Sequence, residues 1–533
     1  MATESNSQQA LVGIPQIAEI AGVGRSAVGN WRKRHEDFPA PKVQAPSGAL
    51  FDLREVEDWL IVHGKIARRA PASARLWGLA DAARGQWTIS QFVNFVIACL
   101  VYIEACDRAH HIQPDTSNLV PPRIPRGADW SDVRTRVGQD FLSALCDGAE
   151  AIESGNPELE GLLAPSFREV RSAPASTLAY HVAVTLDSAA EDASTRYSLF
   201  EYLIDLASSD RQSGEFSTPS DVAALVAQLL DFHGGTIFDP AVGSGALIKQ
   251  AAFQQEDSET DADVFGVDIN ANAWRLARSR FYLYGSDAQI RNENTLIADF
   301  ESLPLADVVV TDPPYGVSNW GYAELYVDPR WRFGSPPPNS ADFAWLQLAS
   351  LRLKPEGRAA VVMSTGSLSR SGREGAIRES MLEAGVVEAV IVLPPRLRLN
   401  TSIPLAVWLL RSPDARPVSE RVLLVDASEL GTPGRSRFSL PELSIDRIVD
   451  LVQRWRETGD IAPEDEDLAA SVALDDIFAA EANLIPTRYR SQPTVDLAEA
   501  EITALTLRES LRDSSAAAAE ANAELLSYLE LRK

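Results

Sequence analysis

Cysteine is scarce in this chain, with three in 533 residues. Cys99, Cys106 and Cys146 show no metal-ligand spacing, so no metal site is expected, and buried thiols in a reducing cytoplasm are the expectation. A bilayer-length apolar run is also missing. The most apolar stretch, Phe92 to Ile103, is too short to span a membrane and is interrupted by Asn94. Met1 to Gln9 carry neither a basic n-region nor an apolar h-region, so export is not expected and a cytoplasmic location is. Positive charge is in short supply as well. Against 75 acidic residues stand 49 Lys and Arg, a net charge of −26, which argues against coating nucleic acid through the overall field. A local basic face, or a partner that supplies the phosphate contacts, stays open.

What is present is ordinary for a globular protein: 45% hydrophobic and 23% charged residues, at a length that implies about two to four domains. Residues 1–70 read as a winged helix-turn-helix. Ala18, Gly22 and Val28 have the spacing of a close helix pair about a turn at Gly22 to Gly24. The second helix carries Arg25, Asn30, Arg32 and Lys33 on a polar face, a candidate DNA contact; a protein-docking module of the same shape is the alternative. Lys42-Val43 and Ala49 to Phe51 suggest a hairpin wing, and Asp52 with Glu55 a capping box for the next helix. Residues 71–205 are helical by period, with a proline-rich break at Leu119 to Pro125 and a buried helix expected over Ile89 to Cys106.

From residue 206 to 445 the texture changes. Short apolar strands (Thr236–Phe238, Val264–Val267, Val308–Val310, Ala359–Met363, Val390–Leu393) alternate with amphipathic helices, the signature of a doubly wound α/β sheet that is mostly parallel. Residues 446–533 read as helical, with an acidic linker around Glu464 to Asp467 and an Ala- and Glu-rich last segment, Leu497 to Leu531, suited to packing against a partner.

Two turns carry the chemistry. The third strand runs into Asp312-Pro313-Pro314-Tyr315. The prolines remove backbone donors, so the turn presents a carboxylate, a stiff carbonyl and an aromatic face, which suits an exocyclic amino group on a stacked ring. A proline-terminated strand with a solvated Asp is the plain alternative. The first strand runs into Asp239-Pro240-Ala241-Val242-Gly243-Ser244-Gly245, where two glycines admit a ligand near a helix start and Asp239 favours a cationic group. The second ends in Asp268, placed to accept from ribose hydroxyls, or else to cap the next helix.

In order along the chain, Gly214 to Pro219, Asp239 to Gly245, Asp268, Asn294-Thr295-Leu296 and Asp312 to Tyr315 resemble the motifs of S-adenosylmethionine-dependent adenine-N6 DNA methyltransferases. With Ser340 to Trp345, Leu353 to Arg358, Leu393 to Pro395, Asn400 to Pro404 and Asn483 to Tyr489, the chain is more closely similar to modification subunits of type I restriction-modification systems, over residues 75 to 490. The resemblance implies a Rossmann-like methyltransferase domain and S-adenosylmethionine as cofactor. It implies cofactor contacts from Thr218, Pro219, Asp239, Ala241, Gly243, Gly245, Asp268 and Asn294. Asp312, Pro313 and Pro314 form its catalytic turn, with Tyr315 stacking a flipped adenine. DNA, a specificity subunit, a second copy and a restriction subunit are the implied partners. Protein or RNA amino groups are the alternative substrates, and a non-catalytic DNA-binding scaffold the alternative role. Four positions depart from the pattern: Val242 for a cysteine, Asn294 for an acid, Met363 to Gly366 for Leu-Pro-Asn-Gly, and no aromatic before Asn400-Thr401. Arg398 stands nearest to that missing aromatic, so Arg398 and Asn400 are the candidates for the far face of the base pocket.

Overall fold

The computed structural model describes residues 11 to 490, apart from 66–71, 111–120, 209–217, 254–261, 399–401 and several shorter stretches. Asn400, Gly214 to Ser217 and the segment Leu497 to Leu531 lie outside the described residues.

At the N-terminal end, strands β1 (Leu11–Gly13), β2 (Pro41–Ala45) and β3 (Gly48–Asp52) form an antiparallel sheet in the order β1-β3-β2. Helices Arg25–Arg34 and Leu53–Val62 cover it. Ile17, Ala18, Val28, Phe51, Val56, Trp59 and Leu60 make the small core. Arg25, Asn30, Arg32 and Lys33 stand exposed on the first of these helices, and the Arg32 guanidinium lies 5.4 Å from the Phe51 ring centre.

The helix Ile89–His110 is the axis of the next unit. Every residue from Phe92 to Cys106 is buried, because helices Ala164–Glu169, Ala173–Ala189, Ala193–Ser208 and Ala271–Tyr284 pack around it. By length and composition it could cross a membrane, yet an all-round apolar helix buried this way is the core of its unit. Two polar groups break the apolar surface. Glu104 accepts hydrogen bonds from the half-buried Arg108 (2.7 Å) and the buried Arg196 (2.6 Å). Asn94 donates to Asn272 Oδ1 at 2.8 Å, and Arg108 to the Tyr282 carbonyl at 2.7 Å, tying this unit to helix Ala271–Tyr284 of the sheet region.

That region is built on a nine-stranded sheet. In chain order its strands are β4 (Gly235–Asp239), β5 (Ala262–Asp268), β6 (Ala288–Asn292), β7 (Ala306–Thr311), β8 (Leu353–Ser364), β9 (Val387–Val392), β10 (Leu405–Arg411), β11 (Arg421–Asp426) and, after a minor ladder of β12 (Thr432–Pro433) with β13 (Phe438–Ser439), β14 (Ala469–Ala473). The spatial order is β14-β11-β9-β10-β8-β7-β4-β5-β6. The run from β8 to β6 is parallel, whereas β10 lies antiparallel between β8 and β9, and β14 is an antiparallel edge. Strand alternation sorts side chains to two layers. Ile237, Val308, Val310, Ala360 and Val362 face helices Ser220–Leu230, Ala246–Ala252 and Glu442–Thr458. Phe238, Val309, Val361 and Met363 face helices Asp342–Leu351 and Arg373–Glu383. The doubly wound sheet expected from the sequence is therefore present, with four further main-sheet strands. Residues past 446 are not purely helical: alternating small and apolar side chains let Ala469–Ala473 pair with β11 as an edge strand.

Removing Glu104 takes the shared carboxylate from buried Arg196, which keeps the half-exposed Asp107, and from the partly buried Arg108; breaking a buried pair costs about 3–5 kcal/mol. Glu104→Ala is expected to lower the urea stability of the helical unit by that order; a loss under about 1 kcal/mol would show the network to be energetically neutral.

Candidate active site

β4, β5 and β7 end side by side where the strand order reverses, the place at which open α/β sheets bind ligands. A cavity of about 460 Å³ opens there. Ala241, Gly243, Asp268 and Asn294 line one part of it; Asp312, Pro313, Pro314, Tyr315 and Arg398 line another. Thr218, Pro219 and Arg398 also border a neighbouring cavity of about 350 Å³.

On the first part, Asp239 closes β4 beneath the loop. It is 1% exposed, and its Oδ1 accepts the Ala241 N–H at 2.9 Å. Burial pushes its carboxyl up to about 8, against which the Ala241 N–H works. Gly243 and Gly245 both have positive φ, 55° and 79°. A side chain at Gly245 would press on Phe281 and Ala277 at 3.3–3.4 Å, so this glycine lets the loop sit on helix Ala271–Tyr284. Asp268 accepts Gly243 N–H (2.9 Å) and Asn270 N–H (2.8 Å), joining the strand end to the loop. The helix that follows is capped by Asn270, not by Asp268. Burial raises the Asp268 carboxyl above its usual range. Asn294 Oδ1 accepts the Leu296 N–H at 3.1 Å, which leaves its amide nitrogen as the donor for a ligand edge. Val242 is buried against Gly266, where a methyl group would meet it at 2.9 Å, so its bulk is matched by that glycine.

On the second part, the Asp312 side chain is 4% exposed rather than solvated. Its Oδ2 accepts the Thr218 hydroxyl at 2.7 Å and its Oδ1 an Arg398 N–H. The Arg398 guanidinium is itself 5% exposed and lies 5.5 Å from the Tyr315 ring centre. Burial opposes its charge, and Asp312 and Tyr315 outweigh that opposition. The turn after Tyr315 is pinned from below, since Gly316 N–H donates to Asp342 Oδ1 at 2.7 Å and the fully buried Asp342 pairs with Arg370. Ser340 and Arg370 in turn reach Glu374.

In the sequence, Ser340 to Trp345 shows as a pattern without revealing this work of Asp342; no spacing rule links residues 316, 342 and 370. The resemblance places Thr218 on the cofactor, whereas its hydroxyl bonds Asp312. Asn483 to Tyr489 closes the end of β8: Leu484 N–H donates to the Leu368 carbonyl (3.0 Å) and Arg378 to that of Ala482 (2.6 Å). Met363 to Gly366 continues β8 into a short 3₁₀ turn, Thr365–Leu368.

The switch-point cavity, the glycine loop and the acidic strand ends stand on the fold of S-adenosylmethionine-dependent methyltransferases. The N-6 DNA methylase family model matches residues 196–497, and the chain belongs to that family. It is 29% identical over 289 residues to the HindI type I restriction enzyme methylase subunit of Haemophilus influenzae, covering 52% of this chain and 64% of that protein. With the MjaIX methylase subunit of Methanocaldococcus jannaschii it shares 31% identity over 292 residues, 52% of this chain and 51% of the other. The chain thus spans between half and two thirds of the length of these relatives. The crystal structure of a type I restriction-modification methyltransferase subunit from Streptococcus thermophilus superposes with a TM-score of 0.67 at 25% identity, over 79% of this chain and 99% of that one.

The residues present fit the cofactor. A buried carboxyl that burial holds neutral gains a partner when an α-ammonium arrives, and Asp268 and Asn294 offer an acceptor and a donor along the same wall. Protonated below about pH 8, Asp239 must lose its proton to pair with that ammonium. Binding at pH 7 should therefore release close to one proton, and affinity should rise as pH rises toward 8. Calorimetry of S-adenosylmethionine binding in buffers of different ionisation enthalpy measures this release. Heats independent of buffer, or an Asp239→Asn variant that binds as tightly, would contradict the assignment.

Proposed function

We propose that this chain transfers a methyl group to the N6 amino group of adenine in DNA, as the modification subunit of a restriction-modification or related defence complex in the cytoplasm. One observation carries the reading: just past β7, a buried carboxylate, a proline carbonyl and a tyrosine ring stand in the same cavity that Ala241, Gly243, Asp268 and Asn294 line, with Asp239 buried beneath that loop. S-adenosylmethionine, when bound, supplies an electrophilic methyl on a sulfonium. Asp239 holds its ammonium, Asp268 its ribose and Asn294 its adenine edge, while Ala241, Gly243 and Gly245 give the loop its close approach. Thr218 and Pro219 border the cofactor end and orient Asp312.

Asp312 and the Pro313 carbonyl accept the two N6 hydrogens, which keeps the nitrogen lone pair out of the ring and aims it at the methyl group. Neither Pro313 nor Pro314 has an N–H to compete for those acceptors. Tyr315 stacks one face of the flipped base. Asp312 is also the nearest base to take the proton that the methylated nitrogen sheds. No covalent enzyme intermediate is required.

Sequence recognition is delegated. A net charge of −26 disfavours DNA binding by the chain as a whole, so a specificity subunit supplies most base and phosphate contacts, within a complex holding a second copy of this chain and a restriction subunit. Exposed Arg25, Asn30, Arg32 and Lys33 give the N-terminal unit a local basic face for flanking DNA.

A methyl-transfer assay on host DNA tests this reading. The co-purified complex should methylate adenine; the isolated chain should not do so with full site specificity; Asp312→Ala should slow the complex by roughly 10²–10³. Arg32→Ala/Lys33→Ala should weaken DNA binding and flatten its salt dependence by about one unit of slope for each phosphate no longer neutralised. Methyl transfer to protein or RNA but never to duplex DNA would overturn the substrate, and an unchanged salt slope would assign the N-terminal unit to docking.

A further inference from the structure

Resting on the adenine-N6 reading, the geometry assigns Arg398 a role as a displaceable latch on the catalytic carboxylate. The amino group of the target must bond Asp312 while its ring lies on Tyr315. The Arg398 guanidinium already does both: it donates to Asp312 Oδ1 and lies 5.5 Å from the Tyr315 ring centre, 5% exposed in the place a target base needs. Asp312 Oδ2 is engaged by Thr218 at 2.7 Å, so no oxygen of this carboxylate faces the pocket without a donor. A base that enters must therefore replace one charge-assisted hydrogen bond with another, and Arg398 must move.

The structure also supplies a place for it to go. Arg398 stands in the wall between the 460 Å³ cavity and the 350 Å³ cavity, and the second of these is bordered by Glu201 and Asp205 from helix Ala193–Ser208. Glu201 pairs with Arg280; burial and the nearby Glu201 raise the Asp205 carboxyl above its usual range even though Arg280 and Arg437 oppose the rise, so it still gains when a further cation approaches. On target arrival the guanidinium leaves Asp312 for Asp205 and the amino group takes its place. Arg398 thus sets a threshold. A ring without amino hydrogens cannot replace the bonds it breaks, and adenine can. Arg398 is a positioning residue in this scheme, acting on the reaction through Asp312.

The test uses the co-purified complex saturated with S-adenosylhomocysteine, which blocks the cofactor pocket. Two single-stranded oligonucleotides are compared, identical except that one carries adenine and the other unsubstituted purine, so backbone binding cancels in the ratio of affinities. In the wild type the ratio should lie near one: adenine enters but its gain at Asp312 is offset by loss of the latch, and purine, unable to replace that bond, stays outside the pocket and binds through the backbone alone. In Arg398→Met, where Asp312 waits without the guanidinium, it should rise about tenfold or more in favour of adenine, the worth of a hydrogen bond to a charged group. Asp205→Asn keeps the guanidinium on Asp312 and should leave the ratio near one, with S-adenosylhomocysteine affinity unchanged as the check on folding. A ratio that Arg398→Met leaves unchanged or lowers overturns the latch, as does a wild type that binds neither oligonucleotide while holding S-adenosylhomocysteine. Failure of the underlying reading shows separately, as adenines in host DNA that stay unmethylated.

Discussion

Two carboxylates kept out of water at the ends of neighbouring parallel strands are the constraint on which the rest of the structure depends. Asp239 and Asp312 stand on β4 and β7, which pair directly, and both side chains are almost wholly buried. Burying a carboxylate is unfavourable unless donors or cations meet it. The fold meets the cost differently at the two sites. Asp312 has Thr218 and Arg398, permanent parts of the chain. Asp239 has a backbone N–H and little else, and burial leaves its carboxyl pushed up to about 8. In the proposed reading, the substrate must open the first site and the cofactor completes the second.

Holding these groups in place takes more chain than the site itself. The turn bearing Tyr315 is fixed by Asp342, which is locked in turn by Arg370. The helical unit reaches the cofactor side through Asn94 and Arg108 on helix Ala271–Tyr284, the helix on which Gly245 rests. Arg280 of that helix donates to the Ser244 carbonyl at 2.8 Å and pairs with Glu201, so helical unit, glycine loop and second cavity share one network. A shift of helix Ala193–Ser208 would be felt at the loop and at the cavity that borders Arg398.

Much of this was legible in the residues. Short continuous apolar runs marked β4, β5, β7, β8 and β9, since each is buried on both faces and bounded by polar turns. β6, with only Ile290 buried, and the edge strand β14, with its run of alanines, lacked that contrast. Within the site, Asp239, Asp268 and Asp312 are readable because each closes or follows an apolar strand; Asp268 and Asp312 line the cavity and Asp239 lies buried beneath its loop. Long-range partners were not readable. Nothing local ties Thr218 to Asp312 across 94 positions, or Arg398 to Asp312 across 86, because such pairs are made by sheet order. Arg398 stood out in the sequence only as the residue where an aromatic was missing, and its actual contact, with the catalytic carboxylate, came from the fold.

The central claim is that the Asp312 turn methylates adenine in DNA. Base-resolved sequencing of host DNA tests it most directly, comparing the wild-type strain, a strain lacking this gene and one carrying Asp312→Ala. The account predicts N6-methyladenine at one recurring sequence in the wild type and its loss in both other strains. Identical adenine methylation in all three would contradict it.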